Sequence, residues 1–115
     1  MIGTELKGRE SLVLSLLDEI EAELRKYSLW GGAEGRPAPE AFLSTLPFCV
    51  DTLEFPQWLE YVFLPGLRNI ISSGTVLPRA MLVHPYAEEY FRGSGTSCSA
   101  LIRTLRKLDA CFDPS

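Results

Sequence analysis

The chain has 115 residues, of which 46% are hydrophobic and 23% are charged, and its formal net charge is −4. These values are typical of one soluble globular domain with a single core, and they exclude a disordered chain. The net acidity also excludes a protein that binds nucleic acid through its overall charge. The apolar runs are far shorter than the roughly 18 residues that a membrane span needs.

The N-terminus and the cysteines indicate a cellular compartment. The first ten residues lack the basic start, apolar stretch and cleavage site of a signal peptide, so the sequence predicts a cytoplasmic protein. Cys49, Cys98 and Cys111 are an odd number of cysteines without a close pair. They predict reduced thiols rather than a disulfide framework or a zinc site, and we expect neither a metal nor a cofactor.

The first predicted helix covers residues 11–27, where apolar side chains recur every three or four positions. This stripe consists of Val13, Leu16 or Leu17, Ile20, Leu24 and Tyr27. Glycines and prolines between residues 31 and 39 then predict a loop. Pro39 is placed to begin a short helical turn through Phe42.

The second predicted helix begins near Pro56 and ends at Gly74. Asp51 or Thr52 can cap it, and Glu54 suits its positive N-terminal end. Proline is tolerated in the first helical turn, which agrees with a start at this point. Apolar side chains continue at helical spacing through Phe55, Trp58, Leu59, Val62, Phe63, Leu67, Ile70 and Ile71.

A proline interrupts this second helix. Pro65 lacks the N–H that a helix interior needs, so we expect a kink near Tyr61 or Val62. A kink of this kind can leave a cavity beside it. A helical bundle that binds a small molecule there is therefore one alternative function.

Two shorter helices follow. Pro85 is placed to open a helix over residues 86–91, and Thr96 or Ser97 can cap the last one. The apolar stripe of the last helix is Leu101, Leu105, Leu108 and Phe112. Four helices with short connections and without an internal repeat predict a single all-α domain, an antiparallel four-helix bundle over residues 1–115.

Residues suited to catalysis have simpler structural explanations. His84 precedes Glu88 by four, but one such pair makes neither a metal site nor a triad. A surface or helix-capping role is expected for His84. Asp51 and Glu54 could act as an acid and a base, but capping of a helix start explains both carboxylates. The sequence therefore predicts that the protein is not an enzyme.

The last helix carries a basic strip of Arg103, Arg106 and Lys107, spaced at i, i+3 and i+4. These side chains could contact phosphates. Cations near a helix C-terminus also complement its dipole, and Asp109 dilutes the strip. Direct RNA binding is therefore an alternative function and not the favoured one.

A polar and aromatic face of the second helix is the favoured partner surface. A tyrosine beside an arginine is typical of interaction hot spots, and Glu60 shares this face. The predicted partner-binding residues are Asp51, Glu54, Gln57, Tyr61 and Arg68. An apolar stripe left uncovered by four short helices would also allow a homodimer.

The run STLPFCVDTLEFPQWLEYVFLPGLRNII, followed by LPRAMLVHPYAEEYF and a closing LRKLDACF, resembles the YqcC-like family of small bacterial proteins. The residues that carry the resemblance are Pro47, Phe48, Asp51, Thr52, Glu54, Trp58, Leu59 and Pro65. It implies a helical bundle in a family with no established enzymatic activity.

The resemblance also implies a partner. Genes of the family commonly sit beside that of the tRNA pseudouridine synthase C type, which implies an accessory role in tRNA modification. The synthase has a different, sheet-rich fold, so no similarity to it is expected. The favoured hypothesis is a protein that binds this enzyme through the polar and aromatic face and the segment 47–54.

Overall fold

The computed structural model describes the backbone of residues 2–74, 77, 80–92 and 98–112, and their side chains from residue 9 onwards. These residues form helices and turns, with no strand among them. The all-α class is thus confirmed, whereas the antiparallel order of the helices stays a prediction.

Helix α1 spans Ile2–Lys26 and begins nine residues before the predicted start. The predicted stripe is buried from Val13 to Leu24, and both Leu16 and Leu17 belong to it. The added turns carry Arg9, whose guanidinium donates to the carbonyl oxygen of Cys111 at 2.8 and 3.1 Å. This contact joins residues 102 positions apart, so no local sequence pattern could indicate it.

Two short 3₁₀ helices follow α1, at Pro39–Leu43 and Pro47–Cys49. The first lies at the turn predicted to begin at Pro39, and the second was not predicted. In the second, Phe48 has a φ of +58°, which is unusual for a bulky side chain. Its ring stacks on Tyr86 at a centroid distance of 4.5 Å, and this packing offsets the backbone strain.

One continuous helix then runs from Phe55 to Ser73, in three parts: α2 (Phe55–Trp58), a π-helical turn (Leu59–Phe63) and α3 (Leu64–Ser73). The predicted bounds are confirmed. The N-cap is Glu54, however, and neither Asp51 nor Thr52. The Glu54 N–H donates to the side chain of Gln57 at 2.8 Å, as in a capping box.

The distortion expected from Pro65 takes the form of the π-helical turn. The N–H of Leu64 donates to the carbonyl of Leu59, five residues earlier. In an α-helix, the acceptor is the carbonyl four residues earlier. Such wide turns appear where the regular helical ladder is interrupted, and Pro65 is the residue without a donor. Gly74 ends α3 in the left-handed conformation, with a φ of +75°.

Helices α4 (His84–Phe91) and α5 (Ser99–Ala110) complete the fold. Pro85 lies in the first turn of α4, as predicted. The N-cap of α5 is Cys98, while Thr96 and Ser97 lie outside the described residues.

A single core joins these elements, because α1 packs against α3 and α5, and α5 packs against α4. Its largest fully buried side chains are Phe55, Phe112, Leu17, Ile20, Leu24, Leu59, Leu64, Leu101, Leu105, Leu108 and Val13. In the described part of the chain, no helix combines the length and hydropathy that a membrane span requires.

Candidate functional site

Asp109 on α5 is a carboxylate buried inside the fold, with 6% of its surface exposed. Its Oδ2 accepts hydrogen bonds from the backbone N–H groups of Val83 at 2.9 Å and His84 at 2.8 Å. These donors lie at the start of α4, where free N–H groups and the helix dipole favour a negative charge. Asp109 therefore caps α4 from a neighbouring helix.

The same oxygen fixes the imidazole of His84. Nδ1 of His84 lies 2.7 Å from Oδ2 of Asp109. A carboxylate accepts hydrogen bonds, so Nδ1 carries a hydrogen and donates it to Oδ2 of Asp109. His84 is the first residue of α4, whose N-cap is Val83, so the expected capping role of His84 is wrong. Its carboxylate partner is Asp109 and not Glu88.

The placement of Asp109 in the exposed basic strip was wrong. Asp109 follows Leu105 by four positions and precedes Phe112 by three, so it lies on the same side of α5 as the buried stripe. That spacing was the available sequence signal. What the sequence could not show is that the first turn of α4 lies opposite and supplies the donors.

A groove of about 640 Å³ opens beside this carboxylate. It is lined by Ala80, Met81, Leu82, His84, Arg106, Asp109, Ala110 and Phe112. Its volume falls in the range of roughly 300 to 1,000 Å³ that is typical of ligand sites. The groove lies between the segment before α4 and the end of α5, and not beside Pro65, where the sequence predicted a cavity.

One polar atom at the groove is unsatisfied. Oδ1 of Asp109 has no hydrogen-bond partner among the described residues, and less than 1 Å² of it is exposed. The guanidinium of Arg106, on the groove wall, donates to Glu88 of α4 at 2.6 Å. The positive charge of Arg106 is thus paired with Glu88, while the described residues offer no donor to the buried oxygen of Asp109.

The predicted partner face is occupied by contacts within the fold. The hydroxyl of Tyr61 donates to the carbonyl of Gly32 at 2.6 Å. Glu60, which was expected at the surface, is 5% exposed and accepts the N–H groups of Gly31 at 2.7 Å and Gly32 at 2.6 Å. A Cβ atom at position 31 would lie 2.5 Å from the tyrosine hydroxyl, so any side chain there would displace this hydroxyl.

The remaining predicted partner residues also hold elements together. Arg68 forms ion pairs with Asp18 at 2.9 Å and Glu21 at 3.0 Å, which join α3 to α1. Asp51 accepts a hydrogen bond from the hydroxyl of Ser44. These contacts explain the residues structurally, and their role in binding a partner stays a prediction.

Glu54 and Tyr90 connect α2 to α4. The hydroxyl of Tyr90 donates to Oε2 of Glu54 at 2.5 Å. Partial burial, and then the hydrogen bond to this carboxylate, hold the pKa of Tyr90 well above its usual range. Partial burial also raises the pKa of Tyr61, with the charge of Glu60 as the next cause.

Two further surfaces carry exposed side chains of interest. Arg103, Arg106 and Lys107 are all exposed on α5, although Arg106 pairs with Glu88. In or just before the predicted segment 47–54 lie three exposed apolar side chains, Leu43, Leu46 and Val50, at 77%, 48% and 49% exposure. No pattern in the sequence predicted the exposure of these three.

The two cysteines that flank α5 are not activated nucleophiles. All three cysteines are free thiols, as predicted. Burial raises the pKa of Cys98 and of Cys111, although the charge of Arg9 opposes the shift at Cys111. Groups of three or more side chains able to hold a metal ion are absent from the described part of the molecule.

The fold and the groove define a small all-helical domain whose buried carboxylates join its segments. The DUF446 family model, described as tRNA pseudouridine synthase C, matches residues 12–111. The chain belongs to this family, the YqcC-like family that the sequence resembled.

Relatives agree over most of the chain. YqcC of Escherichia coli is 35% identical over 96 residues, which are 84% of this chain and 86% of that protein. Its solution NMR structure superposes with a TM-score of 0.77 at 34% identity and covers 90% of this chain and 87% of that one. An uncharacterised protein of Haemophilus influenzae is 37% identical over 73 residues, which are 64% of this chain and 67% of that protein.

A further relative is much longer. A protein of Pectobacterium carotovorum named tRNA pseudouridine synthase C is 40% identical over 73 residues, which are 64% of this chain but 19% of that protein. The expectation of no similarity to a protein of this name was therefore wrong for that segment.

Proposed function

We propose that this chain is a non-catalytic accessory domain that binds a C-type tRNA pseudouridine synthase and assists tRNA modification. The observation that carries the proposal is the Pectobacterium relative, in which a segment like this chain is part of a longer protein of that name. Domains joined in one chain are held at a high effective concentration, so even a weak contact between them forms. We expect the same contact for this chain.

The chemistry of the described residues supports an accessory role rather than catalysis. Asp109 is committed to accepting the N–H groups at the start of α4, and the Nδ1 of His84 is bonded to this same carboxylate. The raised pKa values of Cys98 and Cys111 keep these thiols protonated, and a protonated thiol is a poor nucleophile. Free thiols also suit the reducing cytoplasm, where tRNA is modified.

A protein partner is better supported than direct RNA binding. The net charge is −4, and Arg106 already pairs with Glu88. The part of the basic strip that remains is Arg103 and Lys107. Strong binding to RNA normally depends on a larger cluster of cations that neutralise phosphates.

The test is a calorimetric titration of this chain into a purified C-type tRNA pseudouridine synthase that itself lacks a segment of this family. We expect saturable binding with a Kd of about 1 µM or below. The control titration uses tRNA alone at two salt concentrations. Absence of binding to the synthase, together with tRNA binding that weakens steeply with salt, would replace the proposal by RNA binding.

A further inference from the structure

We propose that the groove beside Asp109 is the docking site for a basic and partly apolar segment of the synthase. An apolar side chain of that segment fills the groove, and a neighbouring lysine or arginine reaches the carboxylate of Asp109. This inference rests on the proposed function, and it names the surface that performs it.

The walls of the groove supply the apolar contact. Met81, Leu82 and Phe112 lie in it together with two alanines. Leu82 is 67% exposed, and Ala80 and Ala110 are exposed as well, so the groove is open to solvent along its rim. A small molecule is usually buried over most of its surface, whereas an open groove suits a chain segment that lies along it.

The charge of the groove selects a cation. Oδ2 of Asp109 holds three donors, while Oδ1 has none among the described residues. A buried carboxylate oxygen without a donor costs free energy, and an N–H donor from a cation removes that cost. The neighbouring Arg106 does not supply it, because its guanidinium donates to Glu88.

The same charge disfavours the other class of macromolecule. A phosphate or carboxylate entering the groove would meet the negative charge of Asp109 at short range, in surroundings that screen it less than water does. The groove is therefore suited to a basic protein segment and not to RNA.

Access to Oδ1 requires a rearrangement. With less than 1 Å² exposed, this oxygen contacts a ligand only after the atoms that cover it move aside. Met81 lines the groove, and its unbranched side chain changes rotamer easily.

Asp109→Asn tests the charge while leaving the cap in place. The amide oxygen can still accept from Val83 and His84. The amide nitrogen is a donor and replaces Oδ1, which accepts nothing from the described residues. We expect the Kd for the synthase to rise about tenfold or more. Helicity by circular dichroism should be unchanged, which separates lost docking from lost folding.

Leu82→Ala tests the apolar contact at an exposed position, so it remains decisive if Asp109→Asn fails to fold. We expect about a fivefold or larger rise in Kd. Leu43→Ala is the matched control, since it makes the same change at a side chain that is 77% exposed outside the groove. It should bind like the unmodified chain, within about twofold.

The outcomes separate the two proposals. If the unmodified chain binds the synthase, and both groove variants bind equally well, the docking site is wrong and the proposed function stands. Weakening by Leu43→Ala alone would place the contact at the exposed apolar side chains near residue 43. Failure of the unmodified chain to bind removes both proposals. A dimer in sedimentation equilibrium that the groove variants dissociate would show that a second copy covers the groove.

Discussion

Glu60 and Asp109 are two carboxylates that the fold buries, at 5% and 6% exposure. Each accepts backbone N–H groups of a distant segment: Glu60 from residues 31 and 32, and Asp109 from residues 83 and 84. A buried carboxylate is stable when such donors satisfy it, and the donors in turn lose their freedom. Both residues therefore fix irregular backbone onto a helix.

Glu60→Gln should loosen the glycine loop. The amide keeps one acceptor but loses the charge and places a donor against a backbone N–H, so we expect a loss of about 1 to 3 kcal/mol in the free energy of unfolding. Urea unfolding measures it, and hydrogen exchange at Gly31 and Gly32 should accelerate. Glu89→Gln, at an exposed ion pair with Arg92, is the control and should change stability by less than about 0.5 kcal/mol. Unchanged exchange at the two glycines would contradict the anchoring role.

Tyr90 makes stability depend on alkaline pH. Its folded pKa is raised by burial and by Glu54, so the unfolded chain releases the proton first, near pH 10. The hydroxyl contributes stability fully below that pH, and the contribution is lost as pH rises toward the folded pKa. We therefore expect the urea midpoint of the unmodified chain to fall above about pH 10. The urea midpoint of Tyr90→Phe should be lower at pH 7 and should decrease less steeply above about pH 10. A pH profile of Tyr90→Phe that is as steep as that of the unmodified chain would disprove this.

At the scale of elements, local signals explain the long helix and fail for the segment before it. Pro56 and Gly74 correctly marked the ends of the continuous helix, because a proline in the first turn and a left-handed glycine are local requirements. The 3₁₀ turn around Phe48 depends on packing against Tyr86 and Trp58. Those rings come from other elements, so a single-sequence pattern could not predict that turn.

Gly66 inside this long helix and Gly74 directly after it should respond to alanine in opposite ways. Gly66 lies inside α3, and the space that an added methyl group would occupy there is open, so Gly66→Ala should stabilise the protein by about 0.5 to 1 kcal/mol. Gly74 has a φ of +75°, so Gly74→Ala should destabilise it by about 1 kcal/mol. Thermal unfolding measures both changes. If both variants change the stability in the same direction, the end of α3 is assigned incorrectly.

The candidate site was predicted less well than the fold, for a related reason. The sequence selected side chains by type and spacing, and several of them, such as Tyr61 and Arg68, serve contacts within the fold. The groove is formed by segments 80–84 and 106–112. These segments meet through a tertiary contact that no local sequence pattern indicates. Asp109 was predicted to be exposed because charged residues lie beside it in the sequence. Its spacing of four residues from the buried Leu105 indicated the opposite.

At the scale of the whole molecule, the described helices share one core. Side chains of α1, of the long helix, of α4 and of α5 belong to the same buried cluster. A cluster that spans all of these elements predicts that they unfold together, as small single domains usually do. The single-domain prediction for residues 1–115 can therefore be tested by comparing unfolding in different parts of the chain.

Leu105→Ala in α5, combined with Trp30→Phe so that Trp58 is the remaining tryptophan, provides that test. Leu105 is fully buried, so its truncation should cost about 2 to 5 kcal/mol. Trp58 packs on Phe48 and Phe63, away from α5 in sequence, and reports on the aromatic cluster. If the core is one cooperative unit, the double variant has a lower unfolding midpoint than Trp30→Phe alone. Tryptophan fluorescence and circular dichroism then report the same midpoint. A fluorescence midpoint that stays in place while the helical signal shifts would divide the chain into two units, with the groove and the long helix in different ones.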